Sequence, residues 1–271
     1  MKYADYIKQI EIDSLWSGKK HILWTLDPHV NILSGINGVG KSTILNKVFK
    51  SINTNGDLIN HLLKGVHITA EPEDATHVRF DIIRSLDSPM LDNETLNMVD
   101  ARIRSALDFQ LYHLQRKYLD YQVNIGNRTI QLLTSGDPGK IKEAQEISAP
   151  RIKFMDFMDE LFTDTGKKIV RTSNEILFDQ FGTTLLPYNL SSGEKQLLVI
   201  MLTTLVQDMV PCVLLMDEPE ISLHIEWQQQ LIQRVRSLNP NVQIIMTTHS
   251  PALIMDGWMD AVTDVDDITV K

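Results

Sequence analysis

The sequence predicts an α/β fold with a mainly parallel sheet, an antiparallel β portion at the N-terminus and a helical insertion. Three observations carry this prediction. The apolar run Val30 to Ser34 leads into Gly35-Ile36-Asn37-Gly38-Val39-Gly40-Lys41-Ser42, and an amphipathic helical pattern follows. Cys212 to Met216 is continuously apolar and ends in Asp217 and Glu218, as a parallel strand buried on both faces does. After residue 190, strand-like and helix-like segments alternate, which places helices on the faces of a parallel sheet.

Along the chain, Tyr6 to Ile12, His21 to Leu26 and Val30 to Ser34 read as strands, separated by the turn signals Ser17-Gly18 and Asp27-Pro28. Ile44, Leu45, Val48 and Phe49 share a helix face that ends at Asn53-Thr54-Asn55-Gly56. His77 to Arg84 is a further strand. Over 91–122, Leu96, Val99, Ile103, Leu107, Leu111, Leu114 and Tyr118 recur at steps of three and four, which predicts a helix of roughly 45 Å. A looser helical pattern covers 139–163, and Gly126-Asn127 and Ser135 to Gly139 break the chain before it. These readings divide the chain into a discontinuous core, 1–90 and 172–271, and an insertion, 91–171. A hairpin (Glu175 to Leu186), a helix (Gly193 to about Gln207), the strand ending at Met216, a helix from Ile225 to Leu238 and a strand from Val242 to Thr247 complete the order.

With 271 residues, 43% of them apolar, the chain can bury a core, so wholesale disorder is excluded. Its longest apolar run, Leu197 to Leu202, is far shorter than the roughly 20 residues of a spanning helix. Asp5 and Glu11 break any basic-then-apolar leader pattern. A lone cysteine, Cys212, rules out a disulfide framework and a cysteine-rich zinc site, and fits a reducing, cytoplasmic setting. The net charge of −9 argues against a chain that coats nucleic acid. Basic and acidic residues balance across 137–171, so no basic stripe emerges there.

Residues 35–42 fit G-x-x-x-x-G-K-[ST] at every fixed position, the phosphate loop of P-loop NTPases. Glycines there let successive N–H groups point at phosphate oxygens. Lys41 brings a cation to the β- and γ-phosphates, Ser42 a hydroxyl for Mg²⁺, and the following helix contributes its positive end. The candidate nucleotide-binding residues are Gly35, Asn37, Gly38, Val39, Gly40, Lys41, Ser42 and Thr43. Ligands of open α/β sheets bind at the carboxyl ends of strands. Asp217 is therefore placed to hold Mg²⁺ with Ser42, and Glu218 to polarise an attacking water.

Leu190-Ser191-Ser192-Gly193-Glu194-Lys195-Gln196 resembles the signature motif of ABC-type ATPases. Asp217-Glu218-Pro219-Glu220 resembles their Walker B segment, and Thr247-Thr248-His249-Ser250-Pro251 their switch-histidine segment. The run Glu220 to His224, followed by Glu226-Trp227-Gln228, is similar to the non-transporter ATPases of the RecF, SMC and OLD type, which are grouped with AAA-family ATP-binding proteins. The resemblance covers 1–90 and 172–271 and implies an ABC-ATPase-type head. It implies a γ-phosphate contact for His249. For Ser191, Ser192 and Gly193 it implies a role on the nucleotide of a second subunit, so that ATP closes a homodimer. Ser191-x-x-Glu194 is also a plain capping box; both readings can hold together. Trp16 is open between stacking on adenine and core packing. No glutamine matches the family's magnesium-contacting loop, and the transporter D-loop aspartate is absent, with His224 nearby. OLD-type nucleases carry a nuclease domain after the ATPase; with few residues after His249, no nuclease activity is expected of this chain.

The expectation is thus an ATPase (ATP and Mg²⁺ as cofactors) whose ATP-gated homodimerisation drives a protein partner in a defence or DNA-maintenance system, away from membranes. A DNA-binding head of a repair complex is the alternative, and a transporter subunit a more distant one.

Overall fold

The computed structural model describes residues 1–270 apart from 17, 19, 53–55, 59–64, 84–101 and 138. Its centre is a parallel sheet. The strands β3 (Val30–Ser34), β5 (Phe80–Ile83), β9 (Cys212–Asp217), β10 (Val242–Thr247) and β11 (Val262–Asp264) lie in the order β11-β3-β10-β9-β5, and every neighbouring pair is parallel. A second sheet is antiparallel, with β1 (Tyr6–Leu15), β2 (Lys20–Thr25), β4 (Val66–Glu71) and β12 (Thr269–Val270) in the order β12-β2-β1-β4. A small third sheet joins β6 (Lys167–Ile169), β7 (Phe178–Gln180) and β8 (Thr183–Leu185). The helices are α1 (Lys41–Ser51), α2 (Ala106–Leu133), α3 (Gly139–Leu161), α4 (Ser192–Val206), α5 (Ile225–Leu238) and the short α6 (Pro251–Met255).

The period-2 alternation of strand side chains makes the parallel sheet the middle layer. Val213, Leu215 and Ile245 enter a core shared with α1 and the antiparallel sheet. Leu214, Met216, Ile244 and Met246 face the opposite way, into a core built with α2 to α5. Among the described residues no helix is long and apolar enough to cross a membrane.

The α/β class, the parallel sheet and the antiparallel N-terminal portion agree with the sequence reading. The long helix does not start or end as expected. It begins at Ala106, capped by the Ser105 side chain, so Ile103 lies outside it. It runs to Leu133 through the expected break at Gly126-Asn127. A glycine inside a helix costs about 1 kcal/mol. Tyr118, Tyr121 and Ile125, all buried on the same face, each return about 1.5–3 kcal/mol on burial, so packing wins. The expected segment 91–101, the boundary between core and insertion, and the Asn53 to Asn55 stop lie outside the described residues. The strand expected from His77 narrows to β5, and the hairpin expected over 175–186 is confined to β7 and β8.

Two ion pairs join α2 to α4 and to the turn that follows it. Lys195 Nζ lies 2.7 Å from Asp108 Oδ1 near the start of both helices. Arg128 lies 2.6 Å from Asp208 near the far end of α4.

Candidate functional site

The parallel register of β9 with β10 aligns Asp217 with Thr247 at the carboxyl edge of the sheet, and β3 delivers the phosphate loop to the same edge. An open cavity of about 580 Å³ lies there, lined by Trp16, Asn37, Gly38, Gly40, Lys41, Ser42, Thr43, Glu218 and His249. Six of the eight expected loop residues face it. Gly35 and Val39 are not among the described lining residues; Val39 packs against the core beneath. Gly40 has a φ of 110°, and a Cβ there would meet the Trp16 ring at 3.0 Å. Only glycine combines that backbone with so close an aromatic neighbour. Trp16 is 42% exposed and forms a wall of the cavity, so core packing is not its role.

Lys41 is only 4% exposed. Its ammonium donates to Gly35 O at 2.9 Å and Ile36 O at 3.2 Å. Burial pushes its pKa down, while Glu218, Asp217, Asp264 and Glu220 act in the other direction. The lysine is thus folded back onto its own loop, with its charge favoured by nearby carboxylates.

The acids are fixed by the neighbouring strand. Thr247 donates its hydroxyl to Asp217 Oδ1 at 2.6 Å, and its Oγ1 and carbonyl O receive the Glu218 N–H at 3.1 and 3.2 Å. Glu218 takes a left-handed φ of 47°, a conformation that costs a non-glycine residue about 1–3 kcal/mol and is typical of functional turns. His249 Nε2 lies 3.4 Å from Glu218 Oε1. Glu220 accepts from the Thr248 hydroxyl at 2.6 Å and from the His249 N–H at 2.8 Å. Sequence reasoning gave no role to Thr247, Glu220 or Asp264. The Thr-Thr-His run carried the signal for the first, since a hydroxyl at a strand end can bridge to the next strand; Asp264 sits on a strand too short to read.

Ser42 and Asp217 offer a hydroxyl and a carboxylate, an all-oxygen set that suits a hard cation such as Mg²⁺. Ser42 lines the cavity, and Asp217, only 8% exposed, ends β9, which β10 separates from β3.

Ser191, Ser192 and Gly193 are not among the described residues that line this cavity. Ser191 caps α4 in a complete capping box with Glu194. Ser191 and Ser192 are exposed. Gly193 is buried, and a Cβ there would lie 2.2 Å from Ser222 O, so the turn after β9 requires glycine at this position within the same chain.

A profile of the family described as "AAA domain, putative AbiEii toxin, Type IV TA system" matches residues 68–256. That stretch holds α4, β9, β10 and His249 and begins after the phosphate loop. The "Retron Vc95 probable ATPase" of Vibrio cholerae serotype O1 biovar El Tor is 33% identical over 116 residues, 38% of this chain and 23% of that protein. The chain thus matches less than a quarter of that relative's length. The "Septu protein PtuA" of Bacillus thuringiensis is 24% identical over 308 residues, covering 92% of this chain and 72% of that protein. A solved Smc head, bound to the C-winged helix domain of ScpA, superposes with a TM-score of 0.53 at 13% identity, covering 93% of this chain and 91% of that one. At such identity the likeness is one of fold.

Proposed function

Since the chain belongs to the AAA-domain family described as putative AbiEii toxin of type IV TA systems, we propose that it binds and hydrolyses Mg-ATP and uses nucleotide state to drive a partner protein. Its similarity to a retron ATPase and to Septu PtuA supports a defence-related setting. One observation carries the reading: Lys41, Ser42, Glu218 and His249 line a single cavity at the carboxyl edge of the parallel sheet.

In this reading the loop N–H groups and Lys41 hold the phosphates, Trp16 lies beside the bound nucleotide, and Ser42 with Asp217 holds Mg²⁺, which neutralises phosphate charge. Glu218 takes a proton from the attacking water. His249, 3.4 Å from Glu218, touches the γ-phosphate. Ser191, Ser192 and the α4 N-terminus serve the nucleotide of a second copy, where backbone N–H groups and the helix dipole favour an anion. Their exposure away from the cavity of their own chain supports that arrangement. A two-fold dimer satisfies both sites at once. Residues 1–90 and 172–271 form the ATPase core and 91–171 the insertion.

The test is titration calorimetry with Mg-ATP, alongside phosphate release, on the native chain and on Lys41→Ala. Both binding and turnover are expected to be lost in the variant. Unchanged ATP affinity would overturn the reading.

A further inference from the structure

The antiparallel sheet carries a second cluster of ligating side chains, none of which is among the residues that line the cavity above. Ile10 and Ile12 of β1 point into the core, so Glu11 and Asp13, which alternate with them, face outward. His67 of β4 is directly opposite Glu11. His21 of β2 reaches the same face, with its Nε2 3.0 Å from Glu11 Oε1. His67 Nε2 lies 3.4 Å from Asp13 Oδ2. The pairing of β1 with β2 shifts between Ile12 and Leu15; such irregularities re-aim side chains, and Asp13 falls within this one.

We propose that Glu11, Asp13 and His21, completed by His67, form a zinc-type transition-metal site that ties β1, β2 and β4 together. One ligand atom from each of Glu11, Asp13 and His21 lies within 4.8 Å of the others. Zinc with N and O ligands at about 2.0–2.2 Å needs ligand atoms about 3.3–3.6 Å apart at a tetrahedral site. The two imidazole–carboxylate distances are close to that scale, and His67, outside the group of three, has to swing in on its largely exposed side chain to become the fourth ligand. Two carboxylates and two neutral imidazoles also cancel the charge of one divalent ion. The mixed imidazole–carboxylate set favours zinc over Mg²⁺ or Ca²⁺, which prefer all-oxygen shells. This separates the site from the Ser42–Asp217 pair by chemistry as well as by position.

The position gives the site a consequence. Asp13 and His21 flank the turn that carries Trp16, and Trp16 lies against Gly40 of the phosphate loop. A cation held at the strand ends clamps that turn and stiffens one wall of the cavity. The proposal does not depend on the ATPase reading, since its test uses no nucleotide.

The chelator-stripped full chain is titrated with Zn²⁺ by calorimetry, and with Co²⁺ by visible absorption. One equivalent of Zn²⁺ is expected to bind, with a tetrahedral cobalt spectrum and a raised melting temperature. His21→Ala and Asp13→Ala each remove a direct ligand and are expected to weaken Zn²⁺ binding by more than the roughly 10–100-fold that loss of an outer-shell partner costs, with unchanged circular dichroism because neither side chain is in the core. Asp217→Asn is expected to leave it intact. No stoichiometric binding, or binding that survives His21→Ala combined with Asp13→Ala, would overturn the proposal.

Discussion

His249 Nε2 lies 3.4 Å from Glu218 Oε1, joining the two residues that follow the ends of neighbouring parallel strands. The pair spans the gap between β9 and β10 at the mouth of the cavity. In the proposed ATPase the carboxylate is the proton acceptor and the imidazole beside it the γ-phosphate contact, which gives each a separate test.

Glu218→Gln is expected to keep ATP affinity within about threefold and to lower turnover by about 10²–10⁴-fold, the usual contribution of a general base. An amide still orients water but does not accept its proton. Single-turnover phosphate release and calorimetry on the same sample check this; native turnover in the variant would remove Glu218 from the base role.

The same variant is expected to run as a dimer in light scattering with Mg-ATP and to shift toward monomer with ADP. Without the phosphate, two helix N-termini would present like partial charges to each other, so the nucleotide-free chain is expected to run mainly as a monomer. Adding Ser192→Arg, a bulky cation on the exposed mouth of α4, is expected to restore the monomer while ATP affinity stays largely intact. Persistent ATP-dependent dimers in the double variant would leave the signature segment as a helix cap alone.

Glu220 accepts from both the Thr248 hydroxyl and the His249 N–H. Glu220→Ala leaves two donors without their acceptor; the Thr248 hydroxyl is buried, so its loss costs about 1–3 kcal/mol, while the exposed His249 N–H can turn to water. We expect a melting temperature lower by several degrees, and a fall in turnover of at least tenfold with ATP affinity little changed. Glu220→Gln retains one acceptor oxygen and is expected to recover most of both. Equal turnover in Glu220→Ala and native protein would show that His249 is held by other means.

Glu194 predicts a dependence on pH. Burial pushes its pKa up, but hydrogen bonds from Lys167 and from the Ser191 N–H and hydroxyl outweigh this and bring the carboxyl below its ordinary value. A carboxylate depressed in the folded state stabilises fully above its unfolded pKa and loses that contribution as pH falls through the folded one. Thermal melts are therefore expected to show a larger stability gap between native protein and Glu194→Gln at pH 7 than below about pH 4. A gap independent of pH would mean that Glu194 is not ionised in the fold.

Much of the core was legible because long apolar runs and glycine signals are local. The helix Ile225–Leu238 and the strand Val242–Thr247 have the bounds that their sequence pattern suggests, and the loop residues from Asn37 to Thr43 converge through the strand and helix that flank them. What escaped was set by distant partners. β11, β12 and β6 are two or three residues long and exist because a neighbouring strand is there to pair with. The extent of α2 depends on the face that α3 and α4 cover, not on its own glycine. Trp16 owes its exposure to a turn that sets it on the phosphate loop. The grouping of Glu11, His21 and His67 comes from three strands, and no spacing along the chain announces it.

The two ion pairs between α2 and α4 give the molecule a mechanical property. Lys195–Asp108, nearly buried, and Arg128–Asp208, exposed, tie α2 to the two ends of α4, and the face between them is packed, so the pair is built as one two-helix bar. From Asp108 to Arg128 the bar is about 30 Å long. Val123, Ile130 and Leu133, apolar and exposed, lie toward its far end. The cap residues Ser191 and Ser192 and that distant apolar surface are thus two ends of one packed bar, with no hinge between them among the described residues of α2 and α4.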